Sequence, residues 1–227
     1  DNAVTRALPN GAIDQSVGTF VRPNLLDNWY FGRPVNQRGQ TEYAGNVYGV
    51  DRWKSLSDKI QMTIVDGGLT VSTTAENATE IIQPFERPIP AGTRLTISAL
   101  ISKPENSNGN GVIRVKYANG SVGLQASIPY NAMDHEVVSL STDAKFDVTG
   151  AIIRPANNGP ITIHAIKLEL GPTQTLAHRE GDKWVLNAIP DFGEQLRRCQ
   201  RYCRVYKAGE YLPCLAYAES DGWYLSA

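Results

Sequence analysis

Two short glycine turns, each set between runs of alternating apolar and polar residues, constrain this chain more than any other feature. Ile60–Val65 and residues 69–73 flank Asp66, Gly67 and Gly68, while residues 112–117 and Val122–Ile128 flank Asn119 and Gly120. Glycine accepts the positive φ that a tight hairpin turn requires, so both stretches are predicted to be β-hairpins. Further strands are predicted over 80–85, 94–102, 136–140, 146–154 and Ile161–Leu170, with Asn157, Asn158, Gly159 and Pro160 separating the last two. About eight to ten strands with no helix between them predict an all-β protein, an antiparallel β-sandwich of jelly-roll type over 24–171. The 20 glycines and 13 prolines of the 227 residues suit such a turn-rich fold.

Outside that block the texture changes. Residues 1–23 read as a tether, carrying Ile13, Val17, Phe20 and Val21 but too little apolar surface to fold alone. Residues 172–227 read as a loop-rich connector to 189, one α-helix near 191–206, and the start of a C-terminal β region. Asp191 with Glu194 three residues on is a capping-box variant, preceded by Pro190. Phe192, Leu196, Cys199, Tyr202, Cys203 and Tyr206 recur at helical spacing. Arg197, Arg198 and Arg201 read as a solvated helix face, with an anion patch as the alternative. A terminal β-hairpin is predicted over 211–218 and 223–227, around a turn at Glu219, Ser220, Asp221 and Gly222. The chain starts at Asp1 and ends within a strand, so the expectation is that it is a fragment or a processed product.

Lys plus Arg number 22 and Asp plus Glu 23, a balance that argues against a nucleic-acid partner. No run approaches the ~18 apolar residues of a membrane span, so no membrane insertion is expected. Cys199, Cys203 and Cys214 form no even framework and no zinc-ligand spacing, and read as small buried apolar side chains. Reduced cysteines fit assembly in a cytoplasm. His135, His164 and His178 have no Ser, Cys or Asp partner at a catalytic spacing, and no nucleophile elbow, zincin, phosphate-loop or dinucleotide motif is present. The reading is non-enzymatic, with no cofactor and no metal. Asp134 beside His135, and Glu80 with Glu86, are carboxylates that a glycosidase would need facing one another across a cleft. Sequence proximity does not supply that geometry, so they read as solvated strand-end charges.

Two groups of segments resemble known families. Residues 24–31 (Asn-Leu-Leu-Asp-Asn-Trp-Tyr-Phe), 34–39 (Pro-Val-Asn-Gln-Arg-Gly) and 48–53 (Tyr-Gly-Val-Asp-Arg-Trp) resemble the opening of a module of bacteriophage and prophage tail-fibre proteins. Residues 167–171 (Lys-Leu-Glu-Leu-Gly), 176–179 (Leu-Ala-His-Arg) and 194–202 (Glu-Gln-Leu-Arg-Arg-Cys-Gln-Arg-Tyr) resemble its closing segment. A broader similarity is to jelly-roll carbohydrate-binding modules of secreted polysaccharide hydrolases, through the opening segment, Gln83-Pro84-Phe85 and residues 92–98. Many such modules hold a structural calcium through an Asp in the final strand. Here that stretch is Ile163, His164, Ala165 and Ile166, and calcium is not expected.

The tail-fibre resemblance implies a structural and adhesive part of a phage tail fibre that binds a bacterial surface polysaccharide. It also implies residence in the virion, assembly in the host cytoplasm, and a homotrimer with other tail-fibre subunits as neighbours. The tether's apolar residues and the terminal aromatics agree with a trimer, since neither has an evident covering within the protomer. The alternative is a module accessory to a secreted glycoside hydrolase.

Sugar binding calls for flat aromatic faces and planar polar groups. Tyr43 and Tyr48 lie among Gly, Asn and Gln and admit two readings, stacking platforms on a loop or packed side chains. Asp51 and Arg52 are the candidates to grip hydroxyls, whereas Trp53, Trp29 and Phe31 read as core anchors. Tyr117 reads as either a surface contact or a cap over a sheet edge. Trp223 reads as a receptor contact or a subunit-interface aromatic.

Overall fold

The computed structural model describes residues 21–74, 79–103, 110–129, 133–155, 159–206, 215–219 and 222–226, the last two segments as backbone only. In chain order the strands are β1 (Glu42–Ala44), β2 (Lys54–Ser55), β3 (Ile60–Val65), β4 (Gly68–Thr73), β5 (Ile81–Ile89), β6 (Arg94–Lys103), β7 (Gly111–Tyr117) and β8 (Val122–Ile128). Then come β9 (Met133–Asp143), β10 (Val148–Arg154), β11 (Ile161–Leu170), β12 (Ala177–Glu180) and β13 (Lys183–Leu186). Helix α1 (Phe192–Gln200) and a hairpin of β14 (Leu215–Glu219) and β15 (Gly222–Ser226) close the chain.

Two antiparallel sheets face each other. One runs β1-β3-β4-β11-β6-β9 and the other β2-β5-β10-β7-β8, giving the antiparallel jelly-roll β-sandwich expected. Both glycine hairpins are present: Gly67 (φ +72°) turns β3 into β4, and Gly120 (φ +85°) lies between β7 and β8. Alternation aims Leu95, Ile97 and Ile101 of β6, and Ile161, Ile163, Ile166 and Leu168 of β11, into one core with Ile81, Ile113, Val115 and Ile153 of the opposite sheet. Trp53 and Phe31 are fully buried there, edge to face at 5.6 Å, and Trp29 packs with them, as core anchors should.

The opening segment extends the sheet beside β11. The Leu25 amide donates to the Leu168 carbonyl (2.8 Å), Ile166 to Trp29 (3.0 Å) and Phe31 to His164 (2.9 Å). The connector is not loop-rich throughout, because β12 and β13 form a hairpin over the outer face of the six-stranded sheet. Trp184 Nε1 donates to Glu136 of β9 (2.9 Å), and Thr175 is bonded to both Lys167 (2.7 Å) and Glu169. This covering is why Lys167 and Glu169 are buried on an outward row.

The helix also departs from expectation by ending at Gln200. Asp191 caps its start as read, accepting from the Glu194 amide (2.8 Å). After Cys203 the side-chain amide of Gln37 captures the chain, donating to the Cys203 carbonyl (2.8 Å) and accepting from the Val205 amide (3.3 Å). That takes the Cys203 carbonyl and the Val205 amide out of helical pairing, while the Cys203 amide still donates to Cys199 (3.2 Å). The tether expected over 1–23 lies outside the described residues except for its last three, of which Arg22 is bonded to Thr175 (3.1 Å). Among the described residues no helix is long and apolar enough to cross a membrane, and no group of three or more His, Cys, Asp or Glu is placed to hold a metal ion.

Candidate functional site

The segments read as the opening and closing of one module meet at one end of the sandwich, where α1 docks. Asn28, at φ +48°, ties three of them together. Its amide donates to Gln195 of α1 (2.7 Å), its side chain bridges Val35 and the Asp51 carbonyl, and its carbonyl accepts from Trp53 Nε1 (3.1 Å). Asn tolerates this left-handed conformation better than most residues because its short side chain bonds locally.

Asp27 sits beside it, buried, and takes two guanidinium groups. Arg52 Nε lies 3.1 Å from one carboxylate oxygen and Arg198 Nε 2.7 Å from the other. Gln83 clamps the Asp27 backbone from both sides at 2.7 Å. Of the arginines read as a solvated helix face, Arg197 and Arg201 stay exposed and Arg198 departs from that reading. Arg198 is drawn into the docking network by Asp27, and Arg201 reaches Glu86 of β5 at 2.8 Å. Glu80, read as a solvated strand-end charge, is likewise paired, with Arg114 at 2.6 Å.

Of the sequence candidates, Tyr48, Asp51 and Arg52 are brought together. They line a cavity of about 370 Å³ with Arg38, Tyr202 and Cys203. Tyr48 is 40% exposed and Tyr202 38%, so both rings reach solvent. Asp51 and Arg52 are nearly inaccessible, and their first role is to hold the site. Asp51 accepts from Arg38 (3.1 Å) and from Gln37; burial pushes its carboxyl above the usual range, against the pull of those donors. Arg52, at φ +74°, is held by Asp27 and the Pro84 carbonyl (2.8 Å) with its guanidinium 3.3 Å from the centre of the Tyr202 ring. A non-glycine residue in that conformation is strained, and the surrounding bonds keep it there.

Tyr43 is not a loop platform. It is the middle residue of β1, opposite Met62, 4% exposed, with its hydroxyl on Asn36; alternation points its ring into the core. Tyr117 ends β7, equally buried, and packs edge-on against Phe146 at 5.6 Å. Its burial in the core excludes the surface contact. Trp223 belongs to β15, but its side chain, like Cys214, lies outside the described residues.

Tyr202 and Arg38 are candidate-site residues the sequence did not single out for binding. Tyr202 was visible only as part of a helical stripe, and nothing local to Arg38 shows that Asp51 awaits it. The thiol of Cys199, under this cavity, is pushed up to about 12 by burial and by the Asp51 and Asp27 charges, so it stays a neutral packed group, as its reading required.

On the far side of the Arg52–Tyr202 stack a second cavity, about 260 Å³, opens between α1 and β5. Its floor includes Leu25, Phe85 and Ile89, and its rim Arg87, Arg198 and Arg201.

The sandwich is similar to several solved carbohydrate-binding modules. BiXyn10A CBM1 in its apo form aligns at 16% identity over 56% of this chain and 95% of that one, with a TM-score of 0.41. The family 29 module CBM29_1 of Piromyces equi aligns at 15% identity over 56% and 87%, also at 0.41. The CBM22-1–GH10 modules of Clostridium thermocellum endo-1,4-β-D-xylanase 10B, complexed with xylohexaose, align at 11% identity over 62% of this chain and 30% of that one, at 0.45. No protein-family model and no curated protein matches the sequence.

Proposed function

We propose that the protein is a non-catalytic carbohydrate-binding β-sandwich that holds a polysaccharide in the cleft between Tyr48 and Tyr202. The observation that carries this reading is the pairing of two half-exposed tyrosine rings with planar polar groups that are already fixed. Aromatic faces accept the C–H surface of a pyranose ring, and the partly exposed Arg38 guanidinium, already held by Asp51, donates to its hydroxyls at little ordering cost.

Two settings suit such a module. The resemblance of residues 83–85 and 92–98, which fall on β5 and at the start of β6, consecutive strands in opposite sheets, supports a module accessory to a polysaccharide hydrolase. One structural observation supports the tail-fibre setting: the opening and closing segments of that resemblance are bonded to each other through Asp27, Asn28, Gln195 and Arg198. In that setting the protein sits in the virion as a homotrimer on a bacterial surface polysaccharide. Light scattering at about three times 24.9 kDa, with any flanking sequence restored, supports it, and a persistent monomer speaks for the accessory module.

The shared proposal is tested by affinity electrophoresis through gels holding plant and bacterial polysaccharides. Retarded migration with at least one glycan, weakened about tenfold by Tyr48→Ala at unchanged thermal stability, is the expected result. Free migration through every gel, or equal retardation of the variant, contradicts it.

A further inference from the structure

We infer that the second cavity, between α1 and β5, takes the carboxylate of a uronic acid, making the preferred ligand an acidic polysaccharide. The inference rests on the glycan-binding reading above and names the class of glycan. Around this cavity stand four guanidinium groups, Arg52, Arg87, Arg198 and Arg201, against two carboxylates, Asp27 and Glu86. Two positive charges are left over in a chain whose net charge is −1. Such a local surplus raises the concentration of an anionic partner at the opening.

The four arginines are not equivalent. Arg52 and Arg198 are spent on Asp27, one on each oxygen. Arg201 pairs with Glu86, but both side chains are about half exposed or more, so the pair is weakly held and opens to a competing carboxylate. Arg87 is exposed and has no hydrogen-bond or ion-pair partner among the described residues. Two guanidinium forks are thus available at one rim, and a fork matches the two oxygens of a carboxylate.

The floor completes the fit. Leu25, Phe85 and Ile89 offer apolar surface to a sugar ring, whereas a small inorganic anion gains nothing from it. The cavity also shares Arg52 and Tyr202 with the tyrosine cleft, so one chain can lay neighbouring residues in both. The anion patch is the alternative reading of Arg201 in the sequence, and Arg87, from a different segment, is what the fold adds to it.

The test is affinity electrophoresis of the whole chain through gels containing polygalacturonate, alginate or hyaluronate, a panel of neutral polysaccharides, or poly-L-glutamate. The expected result is tighter retention by a uronic acid polymer than by any neutral one, weakened by salt, with little retention by poly-L-glutamate. The Arg87→Ala/Arg201→Ala variant should lose about tenfold in that affinity while keeping its melting temperature, since both side chains are exposed. Retention by neutral glycans that equals or exceeds that by uronates, or a variant that binds uronates like the wild type, overturns the inference and leaves the glycan-binding reading standing. Poly-L-glutamate retained as strongly as a uronate overturns it by reducing the site to bare charge. No retention by any polysaccharide overturns both.

Discussion

Asp27 and Asn28 do the most to convert sequence into a site, and neither was singled out as more than part of a motif. The carboxylate of Asp27 compensates two arginines, one of which, Arg52, is buried itself. Asp27→Ala leaves that charge unpaired in a dry setting, so it should cost about 3–5 kcal/mol, read as a fall in the urea midpoint at unchanged slope. A second residue-level expectation concerns pH. Burial lowers the His164 imidazole below its ordinary value, with the His135 charge adding to it and the bond to the Gly67 carbonyl opposing it. The unfolded chain therefore takes up the proton first, and stability is full above about pH 6.5 and declines below it. His178 is raised by Glu180 and Asn187 and acts in the opposite sense, so the comparison belongs in a His178→Ala background. There, melting temperature should fall between pH 7 and 5, and His164→Gln should flatten the fall. A wild-type slope that persists in His164→Gln would refute the assignment. The sequence could name Tyr48, Asp51 and Arg52, but it could not show that Tyr43 faces inward. For Tyr43 that depends on strand phase, and β1 is too short to display one, whereas the alternation of Ile113, Val115 and Tyr117 with Arg114 and Lys116 already carried the phase of β7.

At the scale of elements, legibility followed the strength of local pattern. The β3–β4 and β7–β8 hairpins were plain because each couples alternation to a turn glycine. β1 and β2, three and two residues long, carry no period at all. β12 and β13 were missed because Arg179, Glu180 and Lys183 replace the apolar alternation of a half-buried strand. β9 runs past its predicted ends because pairing with β6 holds Ser141, Thr142 and Asp143 in strand despite their polarity. β5 passes through Pro84 and Pro88, which sequence rules reserve for edges. β2 pairs only with Ile81 and Ile82, so beyond them one side of β5 is an edge among the described residues. Opposite Pro84 lies Gly150, where β10 shifts register against both neighbours. A Cβ there would stand 2.8 Å from the Gln83 carbonyl oxygen, a backbone atom with little room to move. Gly150→Ala should therefore destabilise the fold by about 1–3 kcal/mol, whereas Gly92→Ala, with open space around it, pays only for its φ of +80°. Equal melting temperatures for Gly150→Ala and the wild type would contradict the packing at this bulge.

The whole molecule is a sandwich with a site at the end where its first and last motifs close on each other. Long-range order of this kind is what the sequence concealed. Asp27 and Arg198 are far apart in the chain, and no local signal announces that they meet. The same architecture offers a rival surface, the outward face of the five-stranded sheet. There Ile152 pairs with Arg114 and Ile82, and Gly150 with Lys116 and Pro84, rows that place no aromatic ring among the described residues. The central claim, that polysaccharide is held at the Tyr48–Tyr202 end, is tested most directly by hydrogen exchange of the whole chain with and without a retained polysaccharide. The account expects slowed exchange in peptides covering 47–53 and 196–206, with peptides from 112–125 unchanged. Protection of 112–125 with no change at 47–53 and 196–206 would contradict it.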